Sequence, residues 1–119
     1  MLRSSVISAS DITGTKVRNL EGENIGRIEE LVLDADAGTI RYAVLSFGGF
    51  LGIGDKLFAV PWKSLQYSDA EEMFILDANK ERLKNAPGFD KEHWPNLSDT
   101  KYGTTVHDYY GVPPYWPMM

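Results

Sequence analysis

Few residues in this chain have both the type and the spacing to do chemistry. The segment Gly48-Gly49-Phe50-Leu51-Gly52-Ile53-Gly54-Asp55-Lys56 comes nearest to a phosphate loop. A phosphate cradle needs backbone N–H groups converging beside a helix N-terminus, and a P-loop needs Gly-Lys followed by Ser or Thr. Here Asp55 follows Gly54 and puts a negative charge in the wrong place. The glycine order at 49, 52 and 54 is not the dinucleotide fingerprint, and the residues that follow read as a strand. The segment therefore reads as a flexible strand connection. Asp34-Ala35-Asp36 could suggest calcium, but an EF-hand needs further ligands and a bidentate Glu at its twelfth position. That position, counted from Asp34, is Leu45, and Gly38 falls one place early. A hairpin turn is the better reading. His93 and His107 stand fourteen apart with no cysteine and no ligand spacing, and both are expected at the surface. No Gly-x-Ser-x-Gly is present, and no evident base serves Ser64. Glu29-Glu30 and Glu71-Glu72 are adjacent pairs, and neighbours on a strand point to opposite faces. No catalytic, cofactor-binding or metal-ligating residue is assigned, and no enzyme is expected.

What remains is chemistry of contact. Phe50, Leu51 and Ile53 put apolar side chains in a loop, where they either fold back or meet a partner. The run Tyr109-Tyr110-Gly111-Val112-Pro113-Pro114-Tyr115-Trp116 combines prolines, which favour extended backbone, with Tyr and Trp, which anchor interfaces. The candidate partner-binding residues are accordingly Phe50, Leu51, Ile53, Tyr109, Tyr110, Tyr115 and Trp116.

Composition narrows the classes. The 119 residues suit one domain with a modest core plus a tail. The net charge of -5 argues against nucleic acid, whose binders gather Lys and Arg into a patch. Lys80, Arg82, Lys84 and Lys91 cluster loosely, but Glu81, Asp90 and Glu92 are mixed among them, as on a solvated face. The absence of Cys removes thiol catalysis and disulfides and fits a reducing compartment. Residues 1–10 are too short and too polar for a signal peptide, and about 18 apolar residues never run together, so no membrane span is expected. The expected location is the cytoplasm.

The elements that would position these residues are mostly strands. Lys16-Val17-Arg18 alternates. Residues 25–33 alternate only if a β-bulge near Glu29-Glu30 absorbs a slip. The turn Asp34-Ala35-Asp36-Ala37-Gly38 then leads to residues 39–47, rich in β-formers, which suggests a hairpin. In that second strand Ile40, Tyr42 and Val44 point one way while Ala43, Leu45 and Phe47 point the other. A strand buried on both faces suits a small barrel whose outer face is also covered. Residues 56–60 form the next strand, stopped by Pro61, and Trp62 is expected to plug the barrel end. Residues 65–67 and 73–76 flank a polar turn as a second hairpin. Residues 79–85 read as a short helix with Asp77 or Asn79 as N-cap, ended by Pro87-Gly88. Beyond Phe89 the tail shows no periodicity.

The ordered combination of Ile25-Gly26-Arg27-Ile28-Glu29-Glu30-Leu31-Val32-Leu33-Asp34-Ala35-Asp36, Gly38, Ile40-Arg41-Tyr42-Ala43-Val44, Phe47-Gly48-Gly49 and Phe58-Ala59-Val60-Pro61-Trp62 resembles the PRC-barrel domain. The resemblance covers roughly residues 8–80, and residues 81–90 resemble the extension of free-standing bacterial members. It implies an all-β fold: a small, strongly bent six-stranded barrel over residues 1–80. Residues 81–119 would follow as a short helix and an aromatic, proline-rich extension packing on the barrel or on a partner. It implies a role in contacting proteins and supplies no catalytic motif and no cofactor. The expected function is a protein–protein interaction or adaptor module, self-associating as a homodimer. The alternative is a small-ligand-binding regulatory domain with its site between barrel and tail.

Overall fold

The computed structural model describes residues 6–47 and 56–114. Its first element is a single helical turn. In α1, Ala9–Ile12, the Ser8 hydroxyl accepts from the Asp11 N–H, satisfying a donor the short helix would leave orphaned. The chain then enters β1, Lys16–Arg18, and β2, Asn24–Asp34, which pair antiparallel. Within β2 Gly26 takes φ 137°, where a side chain is strained, and an added Cβ would meet the Ser46 carbonyl oxygen at 2.5 Å.

β2 pairs with β3, Thr39–Ser46, and the register shifts between Ile28 and Glu30, where the slipped alternation requires a bulge. Asp34 Oδ1 accepts from the Asp36 and Ala37 N–H groups, so the Asp-x-Asp motif closes the hairpin turn. β4, Lys56–Pro61, runs back along β3, and a 3-10 turn, Trp62–Ser64, leads straight into β5, Leu65–Ser68. β5 and β6, Met73–Leu76, form the second hairpin. α2 covers Lys80–Lys84, and Asn79 caps it by accepting from the Arg82 N–H at 2.7 Å. Like α1, two later elements were not foreseen: β7, Phe89–Asp90, which pairs with β4, and α3, Thr100–Tyr110.

The fold is therefore mostly β, with seven strands hydrogen-bonded in the order β5-β6-β1-β2-β3-β4-β7. Six of them lie within residues 16–76, and the seventh adds two residues to the β4 edge. The ladder does not close: β5 and β7 are its ends and do not pair among the described residues. The sheet nevertheless curls. Strands sit about 4.8 Å apart, so five steps across a flat sheet from β4 to β5 would span about 24 Å. The four steps from Pro61 to Leu65 reach at most about 14 Å, so β4 and β5 are drawn together.

Curling creates two apolar layers. Ala43 and Leu45 from β3 and Phe58 and Val60 from β4 face inward, with Val17, Ile25, Ile28, Phe74, Leu76 and Leu83. The alternate residues Tyr42, Val44, Leu57 and Ala59 face outward, where Val106 of α3 and Phe89 cover them. Each fully buried aliphatic or aromatic side chain contributes about 1.5–3 kcal/mol. Among the described residues no helix is long and apolar enough to cross a membrane.

Candidate functional site

The register of β3 against β4 sets up the site. Tyr42 pairs with Pro61, so the 3-10 turn that follows Pro61 lies beside Ile40 and Arg41. Trp62 packs its ring against Phe74 of the inner layer at 5.5 Å, and its exposed side is left at the mouth of the curled sheet. Lys63 projects from the same turn and is exposed.

α3 closes this region from outside. Asp99 caps it through a 2.9 Å bond from the Lys101 N–H. At its other end Gly111, φ 72°, takes the left-handed conformation that lets Val112 N–H reach the His107 carbonyl at 3.1 Å. Tyr102, Val106 and Tyr110 recur every four residues and lie on the outer layer, and His107 sits beside them, only 4% exposed. This corrects the expectation of a surface His107. Its Nδ1 is 2.8 Å from the Gly103 carbonyl, and its ring meets Tyr42 edge-on at 5.7 Å. Burial lowers the His107 pKa, and Arg41 and Lys63 add to that, against the opposing Gly103 bond and the Asp108 carboxylate. The imidazole is therefore held neutral near pH 7. His93, in contrast, is exposed, with Nδ1 3.9 Å from Asp90.

A second contact fixes the end of α3. Arg82 of α2 donates to the Tyr109 carbonyl, the Tyr109 hydroxyl donates to the Arg82 carbonyl, and the guanidinium lies 4.6 Å from the Tyr109 ring centre. Arg82 is thus part of a clamp rather than of a purely solvated face. The hydroxyls of Tyr42, Tyr102 and Tyr110 are buried beneath α3 without a hydrogen-bond partner among the described residues. Burial raises all three pKa values, that of Tyr102 to about 12.

Two clefts result, on either side of Lys63. One, of about 370 Å³, runs past Ser64, Gln66, Asp77, Arg82, Tyr110 and Val112. The other, of about 580 Å³, is walled by Ile40 and Trp62, closed by Gly38 and Thr39, and flanked by Arg41, Lys63 and His107. No group of three or more metal-ligating side chains occurs among the described residues.

Of the residues expected to meet a partner, Tyr109 and Tyr110 are partly buried on the chain's own α2 and sheet, and they are helical, not extended. Phe50, Leu51, Ile53, Tyr115 and Trp116 lie outside the described residues. Arg41, Lys63 and His107 were not singled out as a group by sequence. Three signals in the tail could have found the helix that joins them: Asp99 as N-cap, the four-residue stride through Tyr102, Val106 and Tyr110, and Gly111 as terminator.

Compared with known families, the sequence matches the PRC-barrel domain over residues 5–83. No curated protein matches it. Arg41, Trp62 and Lys63 fall inside the matched residues, whereas α3 with His107 is added from beyond them.

Proposed function

Because the chain belongs to the PRC-barrel domain family, we propose that it is a non-catalytic protein–protein interaction module that associates with itself as a homodimer. The match over residues 5–83 carries this reading, since the family resemblance points to protein contact and brings no catalytic motif. Exposed apolar side chains support it: Leu20 and Leu33 are 61% and 59% exposed. The curled sheet fits the family's six-stranded barrel, with β5-β6-β1-β2-β3-β4 as its staves and β7 as an accessory. A cysteine-free chain is at home in the cytoplasm, where we place it. Light scattering on the full chain over a concentration series tests the self-association. A mass of two chains, reverting to one in Leu33→Lys, is the expected outcome; a single-chain mass at high concentration removes the dimer.

A second reading is favoured by one observation. The cleft of about 580 Å³ between sheet and α3 has the size and the mixed lining of a small-molecule site. In that reading the module binds a small ligand, and the ligand sets how α3 sits.

A further inference from the structure

We infer that the cleft between the 3-10 turn, β3 and α3 binds an anionic small molecule with a ring-sized apolar body, of the aromatic carboxylate class. The inference rests on the ligand-binding reading above and names the chemistry of that ligand. Two cationic side chains from separate elements, Arg41 of β3 and Lys63 of the 3-10 turn, converge on this one cleft beside the neutral His107 of α3. The chain as a whole carries a net charge of -5, so a cationic pocket is the opposite of its average surface. Arg41 and Lys63 both act on the His107 imidazole and depress its proton affinity, against the opposing Asp108 carboxylate. Two cationic side chains lining one cleft favour a negative guest.

The walls specify the rest of the guest. Trp62 and Ile40 offer flat and branched apolar surface, and Trp62 is backed by Phe74, which keeps its ring in place. An aromatic ring suits such a wall through offset stacking. A carboxylate on a short arm would then reach Lys63, which is exposed and pays little to approach it. A bare inorganic anion would use only the cationic half of the cleft, and a neutral ring only the apolar half.

The test is an amide chemical-shift titration of the full chain with three probes: indole-3-acetate, its neutral amide, and inorganic phosphate. Indole-3-acetate is expected to shift the signals of Thr39, Lys63 and His107 and to bind at least tenfold more tightly than either other probe. Lys63→Met, a change at an exposed position, is expected to weaken the acid at least tenfold and leave the amide unchanged. Equal binding of acid and amide overturns the anionic preference but leaves a ligand site standing. Equal binding of acid and phosphate overturns the apolar body. Full affinity in Lys63→Met removes the proposed charge contact. No shift from any probe at millimolar concentration overturns both this inference and the ligand-binding reading.

Discussion

At the residue scale, two positions make opposite demands on their surroundings. Gly26 is required by sterics: its φ is 137° and the Ser46 carbonyl leaves no room for a Cβ. Gly26→Ala is expected to cost about 1–3 kcal/mol, read as a lowered midpoint in urea. His107 is required by chemistry. In the folded chain its pKa lies below 6.5, and on unfolding it returns to 6.5. The unfolded chain therefore binds more protons, and stability is full above pH 6.5 and lost as pH falls toward the folded value. The melting temperature should hold steady down to 6.5 and then decline, and His107→Gln should abolish that part of the decline. Glu71, held below its usual 4.5 by the 2.7 Å contact with Arg18, adds its own loss only at lower pH, below 4.5. The burial of His107 was not legible in advance, because a lone histidine carries no sign of which helix face it will occupy.

At the element scale, α3 is the part whose seating matters most. Val106 is fully buried against Tyr42, Val44, Leu57 and Ala59, so Val106→Ala should cost about 1–3 kcal/mol by thermal melting. The tyrosine hydroxyls under the same helix should behave differently. A buried hydroxyl without a partner is a cost, so Tyr102→Phe is expected to leave stability unchanged or raise it by up to about 1 kcal/mol. A fall of that size would show that the hydroxyl has a partner in solution. The β elements were largely legible in the sequence. The slip at Glu29-Glu30 appears as a register shift, the Asp34–Gly38 turn closes a hairpin, and Asn79 caps its helix. The double burial of β3 also signalled that something covers the outer face. The cover itself went unread because proline and aromatic content masked a helix whose repeat spans only Tyr102, Val106 and Tyr110. The cleft went unread with it, since Arg41, Lys63 and His107 are joined only by the fold.

At the scale of the whole molecule, the two apolar layers divide the labour. The inner layer comes mostly from the segment shared with the family, and the outer one is completed by α3 from beyond it. β1 and β6 lie side by side in parallel, Val17 against Phe74, and the Arg18–Glu71 pair bolts the same seam with two bonds of 2.8 and 2.7 Å. The two hairpins, β2–β3 and β5–β6, need only short loops and form on the microsecond scale. Joining residue 17 to residue 74 closes a far longer loop, at an entropic cost of about 3–4 kcal/mol. The seam should therefore be the last junction to zip and the first to part. A stopped-flow refolding experiment should find Arg18→Gln speeding unfolding while barely slowing folding, as for a contact absent from the transition state. Amide protons of Val17 and Ile75 should likewise exchange with solvent before those in the middle of β3.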